Sequence, residues 1–467
     1  MLLKRIYDED LAQAAWLVGC QETGEALIID PQRDACRYIK TAQHAGLTIT
    51  GITETHIHAD FLSGTAELAK ATGATCYLSA CGAPDWLYTW PEHSDAKVVF
   101  VGDGDSIQIG NIKLKIMHTP GHTPEHISFM VFDKDTSDPI GIATGDFVFV
   151  GDMGRPDLLE TTAGVAGAMK KSAKVLFQTC SKLKELPEFI QIWPGHGAGS
   201  ACGKALGAVP QSTLGYEKKT SPPLQLIDDE DAFVTFMLSG QPEPPLYFAR
   251  MKRMNRDGMP ILGNLPNPKR IDTAEELLSL ASASTIIDTR EWDVVRDGHL
   301  PNSIWSKANA DFHRFAGSFI EDTENLVFIV TKENLERAIL NAVRIGLDRI
   351  VGWAEPGILE GMTGLETMPE VSSGELLALS HACVLDVRRL EEFSMGHIPN
   401  AQHIAHTRLL TCLKDLSKDQ SWVVNCHGGS RSAAACMALK RKGYAVTNLA
   451  GGYKDWVAVN ESCVVPR

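Results

Sequence analysis

Through roughly the first 200 residues, short apolar runs alternate with amphipathic stretches. ALIID (26–30) precedes the helix-like DACRYIKTAQHAG, and TITGITETH (48–56) precedes FLSGTAELAKATG, which ends on the helix-stopping Gly73. KVVFV, NIKLKIMHT, HISFMVF and PIGIATGDFVF follow, each a short β-rich segment bounded by Gly, Pro or Asp. The pattern predicts a first domain over residues 1–250 that mixes many strands with helices. The stretch 241–268 is rich in Pro and Asn, carries little periodicity and predicts a domain boundary.

Beyond it the chain repeats itself. STIIDTREWDVVRDGHLPNSI (284–304) matches ACVLDVRRLEEFSMGHIPNAQ (382–402) at an offset of 98. The match pairs Asp288 with Asp386, Arg290 with Arg388, Gly298 with Gly396, His299 with His397, Pro301 with Pro399 and Asn302 with Asn400. Each copy runs on into an apolar strand, LVFIV (326–330) or WVVN (422–425), then a helical pattern and another strand. Strands separated by helices predict two parallel-sheet α/β domains, over 265–358 and 370–467.

Composition narrows the function classes. At 467 residues the chain is about three times the ~150-residue norm for one domain, consistent with three. With 44% hydrophobic and 22% charged residues it is neither disordered nor fibrous. The net charge of −14 and the lack of a basic run argue against nucleic acid or an anionic membrane as partner. Eleven scattered cysteines without a C-x-x-C pair exclude a zinc ribbon and a thioredoxin motif. The acidic cluster in MLLKRIYDEDLAQ and the lack of an apolar run of about 18 residues lead us to expect a reducing cytoplasm.

Four segments of the first domain follow β-rich runs and carry metal-ligating residue types. They are THIHAD (55–60), TPGHT (119–123), TGD (144–146) and WPGHG (193–197). Histidine and aspartate at strand ends, in turns tightened by Gly and Pro, can be aimed into one cleft. His56, His122 and Asp146 would supply two imidazoles and a carboxylate, the ligand pattern of non-haem Fe(II) oxygenases. His58, Asp60 and His196 would then be hydrogen-bond partners that orient the ligands. By itself the pattern leaves a four-ligand zinc site open.

These segments resemble the metallo-β-lactamase superfamily, whose signature is H-x-H-x-D-H followed by His, Asp and His. The resemblance implies an αββα sandwich with metal at one edge of its two sheets. Where the signature ends in His, this chain has Phe61, which removes a ligand of the second metal in dinuclear hydrolases. Within the superfamily the domain is similar to persulfide dioxygenases, with GRPDL (154–158) as a matching segment, and less closely to glyoxalase II. That similarity implies one Fe(II) per chain and a persulfide oxidised by O₂ to sulfite. Arg155 is then a candidate contact for an anionic substrate, weighed against a structural tie to Asp157. Cys202, six residues after His196, is a candidate sulfur relay; Cys20 reads first as a buried apolar residue.

In the last domain WVVN leads into Cys426-His-Gly-Gly-Ser-Arg431-Ser432 and an alanine-rich helix. Loop amides and the helix N-terminus would favour an anionic sulfur on Cys426. Gly428, Gly429 and Ser430 would form the backbone cradle, and Arg431 would attract an anionic sulfur donor or acceptor. This C-x₄-R loop is shorter than the C-x₅-R loop of tyrosine phosphatases. With DVR, GHIPNA and LAGGYKDW it resembles a rhodanese, in which Asp386 and His397 are structural. The middle repeat has TKENLER from Thr331 to Arg337 at the corresponding place and resembles a rhodanese without its cysteine.

The whole chain thus resembles an αββα metallo-β-lactamase sandwich followed by two rhodanese-like domains, a persulfide dioxygenase fused to a sulfurtransferase. The resemblance implies a small-molecule persulfide carried on glutathione or coenzyme A, with sulfite and thiosulfate exchanged at Cys426. It also favours a homo-oligomer. A zinc thioester hydrolase of the glyoxalase II type and a non-oxidative sulfur carrier are the alternatives.

Overall fold

All eight residues of the strand Gln13–Cys20 are buried, because both faces of its sheet are covered. Ala14, Trp16, Val18 and Cys20 point into a core shared by two sheets, while Ala15 and Leu17 point to helices on the other side. The computed structural model describes residues 1–460 except 135, 162–166, 242 and 380–381; Cys463 lies outside the described residues. The chain forms two units, Met1–Asn264 and Leu265–Arg467.

In the first unit one six-stranded sheet has the order Leu2–Asp8, Gln13–Cys20, Glu25–Ile29, Thr48–Thr53, Thr75–Ser79 and Val98–Val101. The other has the order Ser212–Thr213, Gln191–Pro194, Gly141–Gly145, Ile127–Asp133, Ile112–His118 and Ser106–Ile109. Between them pack Trp16, Leu27, Ile29, Ile116, Phe129 and Trp193. Tyr38, Ala42 and Leu68, from the helices Ala35–His44 and Thr65–Thr72, cover the outside of the first sheet. Leu176, Cys180, Phe233 and Met237, from Ala168–Lys184 and Glu230–Leu238, cover the second. The result is the expected αββα sandwich. Trp16 Nε1 donates to the Pro194 carbonyl at 3.0 Å, tying the first sheet to the strand that leads into His196.

The boundary between the units, Asn264 to Leu265, falls inside the stretch 241–268. Within that stretch Tyr247–Asp257 is a helix with Tyr247, Phe248, Met251, Lys252 and Asn255 buried. The helix belongs to the first unit, which extends to Asn264 rather than ending at 250. Its buried face mixes aromatic and polar residues, so apolar periodicity alone does not reveal it.

The second unit contains two five-stranded sheets with every pairing parallel and the same spatial order. The first runs Lys269–Arg270, Ile350–Ala354, Leu326–Ile329, Thr285–Asp288 and Ile304–Trp305. The second runs Glu370–Val371, Ala445–Leu449, Ser421–Asn425, Cys383–Asp386 and Gln402–His403. The repeat extends to single bonds. Arg290 pairs with Asp288 at 2.7 Å and donates to the Gly298 carbonyl at 2.6 Å, as Arg388 does to Asp386 at 2.7 Å and Gly396 at 2.8 Å. Asn302 and Asn400 both take φ 62°. No helix among the described residues is long and apolar enough to cross a membrane.

Candidate functional site

His56 follows the strand Thr48–Thr53, His122 lies in the turn between Ile112–His118 and Ile127–Asp133, and Asp146 follows Gly141–Gly145. The turns bring one ligand atom from each residue to within 4.8 Å of the other two, with all three side chains buried. Gly145 (φ 49°) is required there, because a Cβ would collide with the Thr55 side chain.

The outer nitrogen of each imidazole is already spoken for. Thr55 Oγ1 donates to Asp30 Oδ2 at 3.0 Å, so toward His56 Nδ1, at 2.9 Å, it can only accept. His122 Nδ1 donates to the Arg155 carbonyl at 2.9 Å. Both bonds place the proton on Nδ1 and leave the Nε2 lone pair facing inward. His56 Nε2 and His122 Nε2 lie 3.9 and 3.5 Å from Asp146 Oδ2, an atom that is buried without a hydrogen-bond partner. Two inward lone pairs and an orphaned carboxylate oxygen fit a metal ion, which would satisfy all three.

Electrostatics agree. Burial and the neighbouring His58 and His122 keep His56 neutral, well below its usual range. Burial brings His122 to about 4. Burial opposes the Asp146 charge, but His196 and His122 hold its carboxyl below the usual range. The site therefore presents two neutral imidazoles and one carboxylate at neutral pH.

The orienting residues sit around this trio. His196 donates from Nδ1 to Asp146 Oδ1 and from Nε2 to Asp60 Oδ2, both at 2.8 Å. Burial works against its charge, but the two carboxylates raise its pKa well above normal. His58 bonds Asp30 Oδ1 at 3.1 Å, packs 4.3 Å from the His56 ring and reaches a pKa of about 9, burial being outweighed by Asp30. Phe61 is fully buried with its ring 4.4 Å from that of His58. Asp60, His196 and Cys202 form a second group within 4.8 Å. Burial, with Asp60 and Asp146, pushes the Cys202 thiol well above its usual range.

Arg155, weighed between an anion contact and a tie to Asp157, makes the tie to Asp157. It is buried, with Nε and Nη2 on Asp157 at 2.8 and 2.7 Å and Nη1 on the Ala201 carbonyl at 3.2 Å. Several neighbours of the trio went unmarked in the sequence. His126 Nε2 accepts from the Asp146 amide at 3.1 Å, and Asp30, in a left-handed conformation (φ 54°), anchors both Thr55 and His58. Asn255 bonds the backbone of His58, Phe61 and Ser63. The H-x₃-H spacing of His122 and His126 was the one local signal available.

In the second unit Cys426, Gly429 and Ser432 come together. Cys426 is buried, and its Sγ accepts from the Gly429 amide at 3.1 Å and Ser432 Oγ at 3.4 Å. Gly429 (φ 99°) caps the helix Ser430–Arg441. Gly428 and Ser430 are exposed at the loop surface. Arg431 forms a bidentate pair with Glu392 at 2.6 and 2.7 Å rather than bonding the sulfur. His397 Nδ1 donates to the Phe393 carbonyl at 3.1 Å, and Asp386 holds Arg388 and Asn425, so both are structural. In the middle repeat only Val330 and Thr331 separate strand Leu326–Ile329 from helix Lys332–Val343, against four residues around Cys426.

Comparison with known proteins places both regions. Residues 8–196 match the metallo-beta-lactamase superfamily and residues 372–459 match the rhodanese-like domain. A crystal structure of a metallo-beta-lactamase from Staphylococcus aureus subsp. aureus COL is 39% identical, covers 76% of this chain and 99% of its own, and superposes with a TM-score of 0.68. The mitochondrial persulfide dioxygenase of Mus musculus is 26% identical over 59% of this chain and 86% of its own. A beta-lactamase hydrolase-like protein of Xylella fastidiosa is 27% identical over 48% of this chain, which spans about half (52%) of that relative's length. The chain belongs to the metallo-β-lactamase superfamily through its first unit and carries a rhodanese-like domain in its second.

Proposed function

We propose that the first unit is an iron-dependent persulfide dioxygenase and that the rhodanese-like domain exchanges sulfane sulfur through Cys426. The observation that carries the reading is the trio His56, His122 and Asp146, with both Nε2 atoms inward and Asp146 Oδ2 unpaired. Held by His56, His122 and Asp146, Fe(II) would supply the redox chemistry between a persulfide sulfur and O₂. Overall, a persulfide, O₂ and water yield sulfite and the parent thiol. Thr55 and the Arg155 carbonyl keep the two imidazoles in the liganding tautomer. His196 fixes the carboxylate plane of Asp146, and Phe61 closes the adjoining space with an apolar ring.

In the second unit the Gly429 amide and Ser432 hydroxyl stabilise negative sulfur on Cys426. A Cys426 persulfide can give its outer sulfur to sulfite, forming thiosulfate and the free thiol, or run in reverse. Tethering both activities raises the effective concentration of sulfite near its acceptor reaction. The persulfide carrier is expected to be a low-molecular-weight thiol, glutathione or coenzyme A.

The competing reading, a zinc thioester hydrolase, draws on Asp60, His196 and Cys202 as a second metal group. Against it, His196 has both ring nitrogens committed to carboxylates and Phe61 contributes no ligand. The deciding experiment measures metal content and O₂ uptake on glutathione persulfide and coenzyme A persulfide. One iron per chain with O₂-dependent sulfite formation supports the proposal. Two zinc ions with anaerobic thioester cleavage overturn it.

A further inference from the structure

Arg155 is committed to Asp157, and the cation lining the cavity beside His122, Lys171, is exposed at its rim. A second, buried lysine, on the helix Tyr247–Asp257, acts electrostatically on the same candidate ligands. Lys252 lies on the helix Tyr247–Asp257, is only 7% exposed, and its Nζ has no hydrogen-bond partner. The ammonium stands 4.5 Å from the ring centroid of Trp86. Trp86, with Pro120, Gly121 and Thr123 around His122, lines a cavity of about 470 Å³ whose walls are mostly apolar. That volume suits the organic body of a small thiol.

The charge on Lys252 acts on both candidate imidazole ligands, His56 and His122, and on Glu125 and Cys202. Its available counter-ion is incomplete. Glu125 Oε1 accepts from the Ile57 amide at 2.9 Å, Oε2 is unpartnered, and burial pushes the carboxyl up. Burial lowers Lys252 to about 8, leaving it mainly protonated at neutral pH. A buried ammonium without hydrogen bonds is expensive to maintain, and an anion in the cleft would compensate it.

We propose that Lys252 is the anion-binding residue of this site, receiving the negative sulfur of a persulfide and the sulfite formed from it. The proposal rests on the persulfide reading for the identity of the anion. It assigns to the helix Tyr247–Asp257 a part in substrate binding rather than in linking domains.

The test titrates full-length, zinc-loaded protein with sulfite by calorimetry, in wild type, Lys252→Met and Lys252→Arg. Lys252→Met keeps the aliphatic stem and removes the charge; folding is checked by circular dichroism, with Lys252→Gln taking its place should it unfold. The expected result is sulfite affinity weakened about tenfold or more in the neutral variant and restored to within about threefold by Lys252→Arg. With iron-loaded protein, KM for glutathione persulfide should rise about tenfold while kcat changes less than about threefold. Equal sulfite affinity in wild type and the neutral variant overturns the proposal. Should wild type take up no O₂ with any persulfide, the function reading fails, while the sulfite titration still decides the role of Lys252.

Discussion

Asn255 holds the backbone of Phe61 across 194 positions of sequence: its Nδ2 donates to the Phe61 carbonyl at 2.8 Å. The same amide donates to the His58 carbonyl at 2.8 Å, and its Oδ1 accepts from the Ser63 amide at 2.8 Å. One side chain thus fixes the loop that follows His56. Asn255→Ala would leave three buried backbone groups unpaired. It should lower stability by about 2–4 kcal/mol in urea titration of the metal-free chain. Metal affinity, followed by competition with a chelator, should fall about tenfold because the loop that aims His56 is loosened.

Phe61→His would place an imidazole beside Asp60, whose Oδ1 is buried without a partner and whose Oδ2 bonds His196. Elemental analysis of the variant should show the metal-to-protein ratio rising from one toward two. A ratio fixed at one would mean that the hydrogen bonds of His196, and not the missing ligand, keep the second position closed.

Cys426→Ser should abolish transfer of sulfur from thiosulfate to cyanide, a loss of about a thousandfold or more. O₂ uptake with glutathione persulfide should stay within about twofold of wild type, because no residue of the His56–His122–Asp146 trio is touched. Loss of both activities would show that the His56–His122–Asp146 site depends on Cys426.

Glu392 predicts an acid-sensitive element. Burial opposes its charge, but the bidentate pair with Arg431 brings it from 4.5 down to about 2. A carboxyl depressed in the folded state contributes stability that is complete above its ordinary value and lost as pH falls from about 4.5 toward 2. The side chain is 31% exposed, so solvent screening limits the contribution to about 1 kcal/mol. Urea midpoints of wild type should therefore fall more between pH 6 and pH 3 than those of Glu392→Gln.

The parts of the site that were legible in the sequence are those whose chemistry and geometry are both local. His56, His122, Asp146 and His196 each follow a strand, and the last three sit directly after a Gly, so residue type and backbone aim could be read together. The Asp157 partner of Arg155 lies two residues away and was equally visible. Asn255 and Lys252 were hidden because they act across the fold from a helix whose buried face includes polar groups. The Trp16–Pro194 bond was hidden for a similar reason, since only the stacking of two sheets brings those residues together. The internal repeat, by contrast, aligned Asp288 with Asp386 and Arg290 with Arg388, and these positions form matching ion pairs that each close within two residues.

The two-residue connection before helix Lys332–Val343 bears on whether the middle repeat could be given sulfur transfer by substitution. A missing nucleophile is repaired by one codon; a missing span of backbone is not. Thr331→Cys in a Cys426→Ser chain should therefore remain without sulfur transfer, because the sulfur would meet the start of a helix instead of a ring of amides. Only lengthening the connection to the four residues found around Cys426 would give such a sulfur its enclosure. The difference between the two loops is written in chain length, where point mutation cannot reach it.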